Sequence, residues 1–261
     1  MNHWTIRKKA LCMFFIASVV TICIVLSCSS QKTYTALPIS MAKHEFKILA
    51  QDYPVTKAVL EYPVFKGTSQ SKILVEQINY HIGPEGILGK KPDELEKDFI
   101  DGLVPFISAK AEVVYYGKGF LQVLWTVESI GAYSGTSRTT VLVDLEKGIT
   151  HGPESMFEDD LVMARFVDKQ MMPLVEKALA DLYAEYPDVK SPLIDMGLPL
   201  PYGPDDLFNL QLEDGGLRFI YSFKFPQSFI ALEPEPIVLF IPWKDIEPFT
   251  YEGSILKRIY N

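Results

Sequence analysis

Apolar and polar positions change rhythm several times along this chain, and each change marks an element. A largely apolar run covers Ala10 to Leu26, and the residues from Ser29 to about Met41 are polar and aperiodic. From His44 onward apolar and polar residues alternate, first at Phe46, Ile48 and Ala50, then at Ala58, Leu60, Tyr62 and Val64. A period of two puts one side-chain set on each face of a strand, so two strands are predicted, broken by Gly67-Thr68. Ser69 then reads as the N-cap of a helix with Ile73, Leu74, Ile78 and Ile82 on one face, ending at Gly83-Pro84. A second helix is predicted from Pro92-Asp93, where acids suit the positive end of the helix, carrying Leu95, Phe99, Leu103 and Phe106.

Strands are predicted next over 111–116, 120–130 and 138–145, separated by the tight turn Gly117-Lys118-Gly119 and the loop from Gly131 to Ser137. From about Asp159 to Ala184 a helical face carries Leu161, Phe166, Met171, Leu174, Val175, Ala178, Leu179 and Leu182, and Pro173 is expected to kink or split it. The proline-rich stretch from Pro187 to Pro204 reads as a linker or covering loop. Strands return over 207–212 and 217–225, around the turn Asp214-Gly215-Gly216, and over 237–241, with a short helix over 243–249. This order predicts an α+β fold: antiparallel sheets with packed helices in two closely joined lobes, 44–186 and 207–261, linked by 187–206.

The N-terminus carries a different message. Arg7, Lys8 and Lys9 precede the apolar run, and Val25-Leu26-Ser27-Cys28 has the form of a bacterial lipobox. A basic start, a short apolar core and a small residue before the cut describe an export signal. The expectation is a signal peptide over 1–27, lipid carried on Cys28, and a tether over 28–43. The rival is a transmembrane anchor, since a run of about 17 residues sits at the lower edge of a spanning helix. An anchor has no need of the Ser27-Cys28 step or of the polar Ser29-Ser30-Gln31-Lys32 behind it. Bulky Ile22 makes Cys23 a poorer lipidation site. Two or more acyl chains hold a protein stably on a membrane. The residues after Cys28 contain no acidic run, which favours the periplasmic side of the envelope over the cell surface.

That reading removes Cys12 and Cys23 with the signal and lipidates Cys28, leaving a folded part without disulfides or cysteine metal ligands. The whole chain has 25 basic and 33 acidic residues. Loss of Arg7, Lys8 and Lys9 leaves 22 bases against 33 acids, about −11. Such a charge excludes nucleic acid as the expected partner and suits a basic one, besides keeping the protein soluble.

Chemical motifs are sparse. Ser-x-x-Lys occurs at Ser40/Lys43, Ser69/Lys72 and Ser254/Lys257, a pattern that can activate a serine, but no Ser-Asp-Asn or Lys-Thr-Gly partner accompanies it. His44, His81 and His151 are isolated and lack the His-Glu-x-x-His spacing of zinc sites. Glu154, Glu158, Asp159 and Asp160 are the densest acids; a divalent cation suits oxygen ligands, but acids at a helix start more often complement its dipole. No catalytic residue, metal or cofactor is assigned. Binding candidates are Tyr133 and Ser134, in a loop of Tyr, Ser and Gly that suits protein or sugar recognition, and Tyr202 in the proline-rich stretch.

Two stretches also resemble a known family. Gly131-Ala132-Tyr133-Ser134-Gly135, Val143-Asp144-Leu145-Glu146-Lys147-Gly148 and Ser155-Met156-Phe157-Glu158-Asp159 resemble the PdaC-like domain found beside peptidoglycan deacetylases and in RsiV-type anti-sigma factors. Leu212-Glu213-Asp214-Gly215-Gly216-Leu217, the run Phe219 to Pro226 and Phe240-Ile241-Pro242-Trp243-Lys244-Asp245-Ile246 resemble the C-terminal domain of the same proteins. This chain lacks the histidine common in the family's loop at 131–134. The resemblance implies an extracytoplasmic sensing or cell-wall module, and RsiV-type sensors bind lysozyme. The expected function is therefore lipid-anchored recognition of a basic lysozyme-like protein or of peptidoglycan, without turnover. The alternatives are an envelope hydrolase acting on wall polymers and a structural lipoprotein of an envelope assembly.

Overall fold

The computed structural model describes residues 39–47, 57–66, 71–101, 103, 106–129 and 135–261, excepting the side chain of residue 227. Cys28, Ser69, Tyr133 and Ser134 lie outside the described residues.

The α+β architecture is as the pattern predicts. Six strands form one sheet in the order β1 (Ile39–Lys47), β2 (Lys57–Phe65), β3 (Ser108–Gly117), β4 (Phe120–Ser129), β5 (Gly135–Asp144) and β6 (Ile149–His151). Every pairing is antiparallel except β2 with β3, where the expectation of antiparallel sheets fails. Three helices intervene there: α1 (Lys72–Ile82), α2 (Pro84–Leu88) and α3 (Pro92–Ile100). A crossover of that length returns the chain in the same direction.

The three helices cover one face of the sheet. Ile78, Ile82, Leu95 and Phe99 pack on Leu60, Ala109, Leu121, Val123, Trp125 and Val143, all buried. The cap of α1 is Ser71, not Ser69, and its hydroxyl accepts from Leu74 N–H at 3.2 Å. Gly83-Pro84 ends α1 as predicted, but Pro84 also opens α2, where a missing N–H is harmless. The Asn79 side chain exchanges two hydrogen bonds with the backbone of Phe65, at 2.7 and 2.8 Å, fastening α1 to β2.

A second sheet, β7 (Gln211–Glu213), β8 (Gly216–Tyr221) and β9 (Ile237–Pro242), is antiparallel throughout. Its core is shared with the long helix α4 (Asp160–Glu185) and with α5 (Lys190–Asp195), α6 (Trp243–Ile246) and α7 (Ile255–Tyr260). Helix α4 buries Met163, Ala164, Val167, Met171, Val175 and Leu179, while Leu161 and Leu174, expected on that face, are exposed. It runs unbroken through Pro173. Because α4 packs with the second sheet, the second core draws on residues well before 207, from Met156 and Phe157 onward and from Phe120 and Leu142 of the first sheet. The proline-rich segment is packed against that core through Leu193, Leu198 and Tyr202.

The second core also reaches the first sheet. Alternation along β4 sends Leu121, Val123 and Trp125 toward the helices and Phe120, Gln122 and Leu124 to the opposite face. Phe120 and Leu142 of that face are buried in the second core. Gln122 Nε2 donates to Leu210 O at 2.9 Å, and its Oε1 accepts from Leu212 N–H at 2.7 Å. This one buried side chain stitches β4 to the start of β7.

Candidate ligand-binding cleft

Beyond Gln122 the second sheet no longer covers the first. Leu124 and Glu128 of β4, and Thr136, Arg138 and Thr140 of β5, continue the same face into the open. Ile220 and Ser222 at the end of β8 and the segment from Ile230 to Pro236 form the opposing wall. The cleft between them holds about 520 Å³, within the range of ligand sites. Its lining is mixed: Ile107, Leu124, Ile220 and Ile230 supply apolar surface, while Glu128, Arg138, Glu233 and Glu235 supply charge.

The Ile230–Pro236 wall is held by local bonds. Lys224 takes a positive φ of 56° after β8, and its N–H donates to Glu233 Oε1 at 3.1 Å. Its ammonium pairs with Asp206 Oδ1 at 2.7 Å, and Asp206 Oδ2 accepts from Gly203 N–H at 2.8 Å. Three carboxylates therefore stand around the cleft against one guanidinium, and among the described residues none of the four forms an ion pair with another. Sequence reasoning passed over these charges. A signal existed in Glu233-Pro234-Glu235-Pro236, an alternation of acid and proline that belongs to no helix or strand.

Tyr133 and Ser134 lie outside the described residues, but their flanking residues Ser129 and Gly135 both line the cleft. Tyr202 is not a surface residue: it is 3% exposed. Its hydroxyl donates to Asp206 O at 3.0 Å and its N–H to Asp168 Oδ1 at 2.8 Å, so it pins the proline-rich segment to α4. Burial, then the nearby Asp206, raises its phenol pKa.

Ser254 of the Ser-x-x-Lys pattern is also buried. Its hydroxyl donates to Met156 O at 2.6 Å and accepts from Leu256 N–H at 3.2 Å, capping α7, while Lys257 turns to Glu252. Asp159 caps α4 by accepting from Val162 N–H at 3.0 Å, and Glu154 accepts from Gly152 N–H. No group of three His, Cys, Asp or Glu among the described residues is placed to hold a metal.

One titratable cluster sits away from the cleft, where the two cores meet. Asp144, fully buried, accepts from the N–H groups of Glu146 and Lys147 at 2.9 and 3.1 Å and pairs with Arg258 at 2.9 Å. The Arg258 guanidinium also lies 4.7 Å from the centre of the Phe120 ring and reaches Glu146. Burial alone would raise the Asp144 carboxyl; Arg258 and the two amides outweigh it and hold the pKa below the ordinary value. His151 Nε2 is 3.9 Å from Asp144 and is buried without a hydrogen-bond partner. Burial, more than the opposing pull of Asp144, lowers its pKa. Through Arg258 this cluster joins α7 to the β5–β6 turn, and it does not line the cleft.

No family model matches this sequence, and no curated protein matches it either. Among solved structures, the chain is similar to a DUF3298 family member from Bacteroides fragilis, with 17% identity, a TM-score of 0.51, and 86% of this chain and 97% of that one covered. It is also similar to a DUF3298 family protein from Pseudomonas aeruginosa, with 12% identity, a TM-score of 0.52, and 84% and 96% covered. The fold is thus the one these DUF3298 proteins have.

Proposed function

We propose that this chain is a lipid-anchored envelope module that uses the cleft between its two sheets to bind a basic lysozyme-like protein without turning it over. The observation that carries the reading is the set Glu128, Glu233 and Glu235 around an apolar floor, with Arg138 as the single opposing charge. Carboxylates arranged about a concave surface attract a cationic partner and speed its encounter. The acidic balance of the whole chain, net −8, acts in the same direction. The fold supports the reading, because DUF3298 proteins are related to the PdaC-like and RsiV-type domains that the sequence motifs resemble. The lipobox ending at Cys28 supplies the anchor and puts the domain outside the cytoplasm.

The test is calorimetric titration of a soluble chain begun after Cys28 with a C-type lysozyme at two salt concentrations, beside a charge-matched basic protein of another fold. Saturable binding that persists at physiological salt and is absent from the control is expected. Glu233→Lys combined with Glu235→Lys should weaken it by at least about tenfold, roughly 1.4 kcal/mol. Heat equal to that of the control, abolished by salt, would refute specific recognition, and peptidoglycan fragments would then be titrated.

A further inference from the structure

We infer that the outer edge of β5 is a strand-addition site, on which an extended, basic polypeptide segment pairs as a seventh strand beside the cleft. The proposal rests on the reading of the cleft as a site for a basic partner, and adds how that partner is held.

The edge follows from the register. Leu145 N–H donates to Gly119 O at 2.8 Å, just beyond the pair Phe120 and Asp144. Bonded pairs recur at every second residue of an antiparallel ladder. Val143, Val141, Thr139 and Ser137 therefore bond to β4, while Thr136, Arg138, Thr140, Leu142 and Asp144 turn their N–H and C=O groups away from it. Asp144 agrees, since its carbonyl accepts from Gly148 N–H at 2.8 Å on the β6 side. β6 pairs only with Leu142, Val143 and Asp144. Among the described residues, no strand pairs with the outward N–H and C=O groups of Thr136, Arg138 and Thr140.

Free edges are normally blunted by brevity, proline, bulges or charge. β6 is three residues long, and β1, the other edge of this sheet, carries Lys43, Glu45 and Lys47. β5 has no proline, and its ladder with β4 has no register shift over ten residues. Its free stretch is rich in β-branched residues, is exposed from Gly135 to Thr139, and carries one charge, Arg138. The same three residues whose backbone faces outward place their side chains in the cleft lining. A strand added here would span about 13 Å of edge and bring alternate side chains to the cleft side. Three carboxylates against one guanidinium select a basic segment there.

The probe is a capped decapeptide of alternating Lys and Val, with two controls: a Glu/Val version, and a Lys/Val version N-methylated at alternate residues so that one edge cannot bond. Hydrogen exchange of the Thr136, Arg138 and Thr140 amides is followed by NMR on the soluble chain, and Kd by titration. The Lys/Val peptide should bind, slow exchange at those three amides by at least about tenfold, and lose affinity on N-methylation. Thr136→Pro removes an outward N–H without touching the β4 ladder, and should abolish binding of peptide and lysozyme, whereas Thr136→Ala should not. No peptide binding, binding without protection, or protection of these amides already present in the free protein would overturn the proposal; exchange needs no variant to fold. Lysozyme binding unchanged by Thr136→Pro would overturn strand addition and leave the proposed function intact. Peptide protection without any lysozyme binding would do the reverse.

Discussion

Replacing Gln122 by Leu tests how the two sheets are joined. The side chain is 2% exposed and makes two bonds to backbone groups some 90 residues away in sequence. Leucine has similar volume and fills the space, so little cavity is created. What changes is that Leu212 N–H and Leu210 C=O lose their partner where water does not reach. Each buried unpaired group costs about 1–3 kcal/mol, so the pair costs roughly 2–6 kcal/mol, offset by about 1 kcal/mol from the added apolar burial. The expected net loss is about 3 kcal/mol. With a urea slope of roughly 3 kcal/mol per molar for a chain of this size, the unfolding midpoint falls by about 1 M. Fluorescence and far-ultraviolet dichroism should report the same midpoint. A midpoint shift below about 0.3 M at unchanged slope would refute the claim that Gln122 ties the sheets.

Three further outcomes are expected. His151 has a lowered pKa in the folded state, so the unfolded chain binds the extra proton first, and stability is lost as pH falls through about 6.5; denaturation midpoints between pH 5 and 8 should show this step, and His151→Gln should remove it. Ser254→Ala loses a helix cap and a buried hydrogen bond, and should lower stability by about 1–3 kcal/mol in urea titrations, while a fluorescent β-lactam should fail to label the unaltered protein at Ser254. Cys28→Ala should abolish incorporation of a labelled fatty acid into the protein; an unaltered chain that takes up no label, or labelling that survives the substitution, would refute lipid anchoring at Cys28.

Local order was legible wherever one residue's chemistry suffices. The period-two run at Ala58–Val64 is a strand, and the acids at 159–160 open the long helix α4, because side-chain alternation and helix-start preferences depend only on near neighbours. Misreadings came where distant contacts decide. Tyr202, a polar aromatic among prolines, reads as surface, yet it packs into the second core, where Asp168 and the Asp206 carbonyl accept its hydrogen bonds. Helix α7 went unpredicted, since its six residues gain their stability from packing Ile255, Leu256 and Ile259 into the second core.

The sequence alone determined the fold class, the apolar faces and the acidic balance, because each is a property of composition or short spacing. Tertiary structure decided the rest. It assigned α4 to the second core, turned Ser254 into a cap, and drew His151 and Arg258 to Asp144 across more than a hundred residues of chain in the latter case. It also left one end of the first sheet uncovered, with Glu128, Arg138, Glu233 and Glu235 gathered there from β4, β5 and the Ile230–Pro236 wall. Such convergence depends on how far one sheet extends past another, a distance set by packing that no local pattern encodes.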